Sequence, residues 1–359
     1  MTDSKQAPLD AEAAAKAAFA SVQDKPFPND IFTAPELRWA VIGCGVIANQ
    51  MAQSLALAGR KLAGVANRTL SKAQAFAEQY GVEKVYETVE DLYADPDIDA
   101  VYITTPHNTH ITYLGGALAA GKHVLCEKAI TLNSAELDEA RAIADEHNVV
   151  LMDATTVLHM PLYRELRRRM DAGEFGRMNL AQLNFGSYKE YGDLTNRFYN
   201  RNLAGGAMLD IGVYALSVMR LFMASQPVEV VSLGNTCETG VDVAGGIVCR
   251  NAEQQLGVVS LTLHSKQPKR SVISFDKCYI EVNEYPRADH ATIVWTADGH
   301  REEVHTGTEA YALCYEMADL EKAVAGDDSK RELLDYASDV MELMTKLRAD
   351  WGVVYPEEE

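Results

Sequence analysis

The sequence predicts a doubly wound α/β domain followed by an α+β domain with a large, open, mainly antiparallel sheet. Three observations support this. Short apolar segments alternate with helical segments from residue 37 to residue 153, and a glycine-rich turn follows the first of them. After residue 154, strand-like segments follow one another without helices between them. Alternation is typical of a parallel sheet covered on both faces, whereas strands in succession are typical of an antiparallel sheet.

The segments divide the chain into two predicted domains, 37–153 and 154–359. In the first domain the predicted strands are 38–43, 62–67, 100–104, 123–126 and 149–153, and the predicted helices are 50–58, 71–80, 109–120 and 135–147. In the second domain the predicted strands are 179–187, 228–232, 244–250, 256–264, 272–275, 278–282 and 292–295. Its predicted helices are 161–172 and 205–223, with two closing helices at 311–324 and 330–351.

The doubly wound sheet of the first domain should bind its ligand at the carboxyl ends of its strands.

Residues 1–36 form a separate segment. An alanine-rich stretch at 11–20 favours a short helix, and Pro26, Pro28 and Pro35 favour extended chain after it. Two interpretations stay open: a mobile tail, or an arm that packs on a partner subunit.

Composition argues against several classes of function. The net charge of −19 disfavours nucleic-acid binding, and no apolar stretch approaches the roughly 20 residues of a membrane helix. The six cysteines form neither a CxxC pair nor a Cys/His metal spacing, so we expect reduced thiols and no metal. The N-terminus also lacks the features of a secretory signal. We therefore expect a soluble cytoplasmic protein that binds neither nucleic acid nor a membrane.

The glycine-rich turn has the form Gly43-x-Gly45-x-x-Ala48, with Val46 and Ile47 opening a helix. Gly43 permits a tight turn, Gly45 lets the backbone approach a pyrophosphate, and Ala48 keeps the helix near the strand. The helix N-terminus offers N–H donors and a positive dipole. In this strand–turn–helix setting the motif predicts a Rossmann domain that binds a dinucleotide.

The second predicted strand ends in Asn67 and Arg68, and no acidic residue stands there. NAD-specific sites commonly use a carboxylate at this point to bind the ribose hydroxyl. Asn67 and Arg68 suit a 2′-phosphate instead, so NADP is favoured over NAD.

Polar residues also follow two other predicted strands. Thr105 and His110 follow strand 100–104, where they could orient a ribose or the nicotinamide or serve only as loop and cap residues. Glu127 and Lys128 follow strand 123–126, where we expect the crevice rather than a surface ion pair. A lysine there can bind a substrate hydroxyl and lower the pKa of a neighbour.

A last cluster lies in the second domain. In the predicted helix 205–223, Asp210 and Tyr214 are four residues apart and share one face. The alternatives are a substrate-facing pair and a buried Asp–Tyr hydrogen bond that holds the helix.

Together these motifs resemble the Gfo/Idh/MocA oxidoreductase family from about residue 37 onward. The similarity includes the glycine loop, a Thr-Pro-x-x-x-His stretch from Thr105 to His110, a Glu-Lys motif at Glu127–Lys128 and a Gly-Gly helix that carries Asp210 and Tyr214. A tyrosine at position 214 is most similar to the branch of glucose–fructose oxidoreductase and dimeric dihydrodiol dehydrogenase. The resemblance implies hydride exchange between NAD(P) and a hydroxyl or carbonyl carbon of a sugar, polyol or cyclic diol.

The resemblance also implies roles for single residues. Tyr214 would be the acid/base, Lys128 its electrostatic partner and substrate anchor, and Asp210 a substrate or orienting group. We expect substrate specificity in the second domain, at Asn184, Tyr188, Arg197 and Tyr199. The open sheet would join subunits into a homodimer or homotetramer.

One departure from the family motif concerns the residue after Lys128, which is Ala129 where the family has proline. That proline commonly follows a cis peptide bond. Because a non-proline cis bond is costly in peptides, we predict a trans bond between Lys128 and Ala129.

Two further hypotheses remain. A catalytically silent dinucleotide sensor on the same scaffold needs the glycine loop but not Lys128, Asp210 and Tyr214. A sugar oxidoreductase that keeps its cofactor bound is a variant of the enzyme hypothesis, with residues 1–36 as a clamp.

Overall fold

A computed structural model describes residues 16–23 and 25–359. These residues divide into two compact units. We call the first the parallel-sheet unit; its described residues are 16–154, except 24, together with 310–335. The second, the mixed-sheet unit, comprises residues 155–309 and 336–359 among those described.

The parallel-sheet unit contains six parallel strands in the order β3-β2-β1-β4-β5-β6. The strands are β1 Trp39–Ile42, β2 Gly64–Ala66, β3 Lys84–Tyr86, β4 Ala100–Ile103, β5 His123–Cys126 and β6 Leu151–Asp153. Their register brings the carboxyl ends to one edge, since Ile42 pairs with both Ala66 and Ile103. The strand order reverses at β1, which is where doubly wound sheets bind ligands. The predicted Rossmann fold is confirmed.

Helices cover this sheet: α1 Val46–Leu57, α2 Leu70–Tyr80, α3 Val89–Ala94, α4 His110–Ala119 and α5 Ser134–Glu146. Strand β3 and helix α3 were not predicted. Strand β3 has only three residues, too few to show an alternating pattern. Helix α3 has a clear signal nonetheless, a capping box in which Thr88 and Asp91 exchange hydrogen bonds.

The mixed-sheet unit contains eight strands in the order β14-β13-β12-β11-β7-β10-β9-β8. They are β7 Met178–Gly186, β8 Pro227–Thr236, β9 Asp242–Asn251, β10 Leu256–Thr262, β11 Gln267–Phe275, β12 Cys278–Asn283, β13 His290–Trp295 and β14 Arg301–His305. Neighbours are antiparallel except β7 and β10, which run parallel. This confirms the predicted, mainly antiparallel sheet. Strand β14 was missed because Arg301, Glu302 and Glu303 give it a polar sequence.

Two helices of this unit, α6 Pro161–Asp171 and α7 Val213–Phe222, were predicted as helical segments. The start of the second differs from prediction, because Met208–Gly212 forms a π-helical turn that leads into α7. The run 201–222 has the length and hydropathy (1.3) of a membrane span, but 83% of its apolar window is buried inside the protein. Burial of this kind is typical of a core helix.

The closing helices divide between the units. Helices α8 Ala312–Val324 and α9 Asp328–Arg331 belong to the parallel-sheet unit, and most of α10 Leu333–Asp350 belongs to the mixed-sheet unit. The expected domain 154–359 therefore differs from this division. The physical reason lies in Glu321 of α8, whose buried carboxylate binds Arg60 at 2.5 Å and accepts a hydrogen bond from Trp39 Nε1 at 3.1 Å.

The segment before β1 also packs on the parallel-sheet unit. The Phe27 ring contacts Tyr311 with centroids 5.0 Å apart, and the Arg60 guanidinium lies 4.0 Å from the centroid of Phe32. Residues 25–36 are thus held by their own chain. Residues 16–22 are helical, and the other half of the helix expected at 11–20 lies outside the described residues.

Candidate active site

The glycine loop begins with a backbone turn that requires glycine. Gly43 has φ +103°, and its N–H donates to the Ala66 carbonyl at 2.9 Å. A Cβ atom at this position would lie 2.6 Å from Thr104 Oγ1. Any larger residue would therefore both strain the backbone and collide with the chain after β4.

Gly45 is the N-cap of α1 and leaves the helix N-terminus open. No described side chain caps this helix, and a Cβ atom on Gly45 would meet no described atom within 4 Å. Val46 is 68% exposed, Ile47 packs on the core and Ala48 is fully buried. Free N–H groups beside an unobstructed backbone fit a dinucleotide pyrophosphate. The glycine loop thus has the geometry expected from its sequence.

Basic side chains follow the end of β2. Arg68 is exposed, and the Asn67 amide donates to the Thr69 carbonyl at 3.0 Å. Lys72, in the first turn of α2, was not singled out from the sequence. Burial raises the pKa of the Cys44 thiol to about 11, and the charge of Lys72 partly opposes that rise. Lys72 therefore acts electrostatically on the glycine loop.

His110 is a structural residue in this site. Its side chain is fully buried, Nε2 lies 2.8 Å from the Thr105 carbonyl, and Nδ1 lies 3.0 Å from the Ala129 carbonyl. Burial lowers the pKa of His110, which favours the neutral ring. The expected cofactor contact by His110 does not fit this burial; the ring joins the chain after β4 to the chain after β5. Thr105 is half-buried.

Glu127 and Lys128 lie at the end of β5. Glu127 accepts hydrogen bonds from the Tyr102 hydroxyl and, at 3.3 Å, from the Lys128 backbone N–H. Lys128 is half-buried, and its charge contributes to the lowered pKa of His110. The Glu-Lys motif therefore lies on the same sheet edge as the glycine loop.

The peptide bond between Lys128 and Ala129 is cis, so the predicted trans bond is wrong. The trans prediction used the preference of isolated peptides, whereas here Ala129 and Ile130 are fully buried and both carbonyls face His110. Tertiary contacts thus select the backbone conformation that the family associates with proline.

In the mixed-sheet unit, Asp210 lies in the π-helical turn and is 9% exposed. Its Oδ1 lies 3.5 Å from Nη2 of Arg197, whose side chain is 62% exposed. The Arg197 guanidinium also lies 4.4 Å from the centroid of Phe198. Arg197 and Asp210, predicted separately, therefore form one polar site.

Tyr214 lies in the first turn of α7 and is half-buried. Its ring centroid is 6.0 Å from that of Phe185 on β7. The same helix start therefore presents Asp210 and Tyr214. Lys128 belongs to the parallel-sheet unit, and these two residues belong to the mixed-sheet unit.

Two of the expected substrate residues have other roles. Tyr199 is fully buried, and its hydroxyl donates to the Lys189 carbonyl at 2.9 Å. Burial raises its pKa to about 12. Asn184 lies on the outer face of β7, opposite to Phe185, and donates to the Pro268 carbonyl. Neither fits a site beside Tyr214. Tyr188 is 51% exposed, and its substrate role stays a prediction.

Comparison with protein families gives two matches. Residues 37–155 match the oxidoreductase family with an NAD-binding Rossmann fold, and residues 163–281 match the Gfo/Idh/MocA C-terminal domain. The chain belongs to the Gfo/Idh/MocA oxidoreductase family. Its Rossmann domain, Gly-Gly helix and open sheet are therefore those of the family suggested by the sequence motifs.

Relatives within the Gfo/Idh/MocA family include trans-1,2-dihydrobenzene-1,2-diol dehydrogenases. The Xenopus laevis enzyme is 28% identical over 332 residues, which cover 89% of this chain and 99% of the relative. The Mus musculus enzyme is 32% identical over 254 residues, covering 69% and 75%.

Solved structures give the same fold. A 3-ketoreductase from Actinomadura kijaniata in complex with NADP and TDP-benzene has a TM-score of 0.75 and 25% identity, covering 88% of this chain and 98% of its own. Levoglucosan dehydrogenase in complex with NADH and levoglucosan has a TM-score of 0.76 and 20% identity, covering 87% and 97%.

Proposed function

We propose that the protein is an NADP-preferring dehydrogenase that acts on a hydroxyl-bearing carbon of a cyclic diol or sugar. The observation that carries this proposal is the pair of polar groups at one helix start, Asp210 beside Arg197 and Tyr214 four residues later. A dinucleotide-binding sensor would need the open helix N-terminus at Gly45 but not this pair. The dihydrodiol dehydrogenase relatives make a cyclic vicinal diol the first substrate to test.

The residues of this chain would divide the chemistry as follows. When bound, the nicotinamide supplies or accepts the hydride. Oxidation of an alcohol also removes a proton from oxygen, and we assign that proton to Tyr214 as acid/base. Asp210 and Arg197 would hold a second hydroxyl, because together they offer both acceptor and donor groups. For Lys128 we keep the role that the family motif implies, an anchor for the substrate oxygen.

The preference for NADP rests on charge at the end of β2. Arg68 is exposed, Lys72 lies one turn further on, and no carboxylate follows the strand. Two cations near the ribose would stabilise a 2′-phosphate, whereas a ribose hydroxyl gains little from them.

A homodimer or homotetramer through the open sheet is also proposed. On the edge strand β8, Val231 is 75% exposed and Leu233 is 84% exposed, and Val248 on β9 pairs with Val231. Apolar side chains grouped on an edge strand commonly mark an interface. We further propose a cytoplasmic location, in keeping with six cysteines that form no disulfide.

The central test is Tyr214→Phe, assayed with trans-1,2-dihydrobenzene-1,2-diol and a panel of sugars. Loss of a general acid/base should lower kcat by about 10²- to 10⁴-fold. The Kd of NADP, measured by fluorescence titration, should stay unchanged because the glycine loop belongs to the other unit.

Tyr279→Phe is the matched control, because Tyr279 lies half-buried on β12 and is not part of the proposed site. Near-full activity of Tyr214→Phe would refute the acid/base role. Tight NADP binding without turnover of any substrate by the wild type would favour the sensor hypothesis.

A further inference from the structure

The π-helical turn that carries Asp210 follows two glycines, Gly205 and Gly206, which other parts of the chain approach very closely. A Cβ atom on Gly205 would lie 2.6 Å from the Arg197 carbonyl oxygen, and one on Gly206 would overlap Oδ1 of Asp242. Gly206 also has φ +125°, which other residues rarely adopt. Because Gly205 and Gly206 have no Cβ atom, the side chain of a strand residue can reach the start of the helix.

That side chain is Asp242, the first residue of β9, which is fully buried. Its Oδ2 accepts a hydrogen bond from the Met208 backbone N–H at 2.6 Å. Met208 is the first residue of the π-helical turn, whose early N–H groups lack partners within the helix. A carboxylate there satisfies a donor and complements the positive end of the helix.

Residues near the C-terminus, 348–358, also contribute contacts at the start of this turn. The Tyr355 hydroxyl donates to the Gly205 carbonyl at 2.7 Å. The Arg348 guanidinium lies 4.7 Å from the Tyr355 ring centroid and binds Glu358 at 2.8 Å. Tyr355 and Arg348 are both buried. A polar network in the interior thus surrounds the entry to the turn.

We propose that Asp242 is a positioning residue. Its carboxylate fixes the start of the turn and so keeps the side chains of Asp210 and Tyr214 in their positions. This inference rests on the proposed function, because it gives Asp242 a role through those two residues. Asp210 is two residues from Met208, and Tyr214 follows within the next turn. Movement of the Met208 N–H would therefore displace both side chains.

The charge of Asp242 makes the proposal testable by pH. Burial raises the pKa of Asp242 to about 6, although the N–H groups of Met208 and Ala207 and the charge of Arg348 oppose the rise. Arg348 and Tyr355 are the charged and titratable side chains that interact with it from α10 and the C-terminal segment. The carboxylate is thus ionised at pH 8 and mostly protonated at pH 5, and a charged acceptor binds an N–H more strongly than a neutral one.

The experiment compares the wild type with Asp242→Asn, which keeps a neutral acceptor oxygen, and Asp242→Ala, which has none. At pH 8, kcat of Asp242→Asn should be about fivefold below wild type, the effect of one net hydrogen bond. At pH 5 the two should agree within about twofold, because Asp242 is then neutral. Asp242→Ala should be slower than Asp242→Asn at both pH values, and all variants should keep the wild-type Kd for NADP.

Tyr355→Phe provides a second, milder variant, and Tyr163→Phe is its matched control. Both tyrosines are buried and donate to a backbone carbonyl, Tyr355 to Gly205 and Tyr163 to Tyr285 at 2.6 Å. We expect kcat to fall about two- to fivefold only in Tyr355→Phe. Faster amide exchange at Met208, followed by mass spectrometry, should accompany the loss in the Asp242 variants.

The outcomes separate the two proposals. If Tyr214→Phe abolishes turnover while Asp242→Asn keeps the wild-type kcat at every pH, the positioning role is overturned and the proposed function stands. A constant kcat ratio between Asp242→Asn and wild type from pH 5 to pH 8 also overturns it. Activity retained by Tyr214→Phe overturns the proposed function instead. Should Asp242→Ala not fold, the Asp242→Asn ratio and the Tyr355→Phe pair decide.

Discussion

At the scale of single residues, cofactor choice depends on the charge that follows β2. Arg68 is exposed, so its guanidinium can turn toward a 2′-phosphate at little cost in burial. Charge-assisted hydrogen bonds contribute about 1.5–3 kcal/mol each, which exceeds what a neutral bond to a ribose hydroxyl contributes.

We therefore predict that Arg68→Ala lowers the ratio of kcat/KM for NADP to kcat/KM for NAD by about 10- to 150-fold. Steady-state kinetics with both cofactors measures this ratio. Lys61→Ala is the control, since Lys61 is an exposed cation that pairs with Glu83 at 3.0 Å. An unchanged ratio in Arg68→Ala would refute the NADP assignment.

A second residue, Tyr80, acts on the glycine loop through Asn49. The Asn49 amide donates to the Gly45 carbonyl at 2.8 Å, and the Tyr80 hydroxyl donates to Asn49 Oδ1 at 2.8 Å. Holding that carbonyl orients the neighbouring peptide groups of the loop.

Tyr80→Phe should accordingly raise the Kd of NADP about fivefold, the effect of one net hydrogen bond, with kcat at saturation little changed. Fluorescence titration measures the Kd. Tyr93→Phe removes a comparable bond to the Tyr113 carbonyl at 3.2 Å and should leave the Kd unchanged. Equal effects of both variants would argue against a role of Tyr80 in the loop.

Single residues were predictable where a local pattern determines them. Gly43 and Gly45 follow from the strand–turn–helix motif. The substrate role expected for Asn184 was wrong, although alternation with the buried Leu183 and Phe185 indicates its outward direction. Burial of Tyr199 was not predictable, because its partners come from distant parts of the chain: Thr239 binds its carbonyl at 2.6 Å. Burial of His110 likewise depends on Ala129 and Ile130.

At the scale of elements, helix α8 is tied to the Rossmann sheet by an ion pair in the interior. The Glu321 carboxylate has no exposed surface, and only 10% of the Arg60 side chain is exposed. Removal of one partner would leave the other charge buried, with Glu36 the remaining carboxylate at 3.1 Å from Arg60.

Glu321→Ala should lower the free energy of unfolding by about 3–5 kcal/mol, measured by urea titration. The double variant Arg60→Met/Glu321→Leu should lose less than the sum of its single variants, because no unpaired charge remains. Glu139→Ala, at an exposed position in α5, should change the value by less than about 0.5 kcal/mol. Additive effects of the two single variants would contradict the coupling.

Most elements followed from periodicity, and the exceptions have physical reasons. Strands β3 and β14 are three and five residues long, and the polar β14 lies at a sheet edge. The π-helical turn at Met208–Gly212 was predicted as ordinary helix, because its apolar residues Met208, Leu209 and Ile211 give the same sequence pattern in both kinds of helix. Such turns are frequent at functional sites.

At the scale of the whole molecule, the exposed apolar side chains of β8 and β9 bear on assembly. Val231 and Leu233 are more exposed than apolar strand residues usually are, and they lie at the edge of the sheet. A second copy of the chain that covers them would remove this surface from water.

We predict that Val231→Glu/Leu233→Glu shifts the molar mass in solution to that of a monomer, measured by size-exclusion chromatography with light scattering. Burying two new carboxylates in an interface is unfavourable, which supports that direction. Val354→Glu introduces a charge at a 41% exposed position outside the sheet and should not change the mass. A wild-type mass equal to that of one chain would refute the proposed oligomer.

The path of the chain has a consequence for how the protein is made. A chain emerges from the ribosome with its N-terminus first, and N-terminal domains generally fold before C-terminal ones. Here the unit that emerges first needs residues 310–335, which emerge only after the strands of the other unit. Until then Arg60 and Trp39 lack their contacts with the Glu321 carboxylate. The parallel-sheet unit therefore cannot complete its folding before helix α8 has been synthesised. During synthesis, the nucleotide-binding unit is begun first yet completed only after most of the mixed-sheet unit has been made.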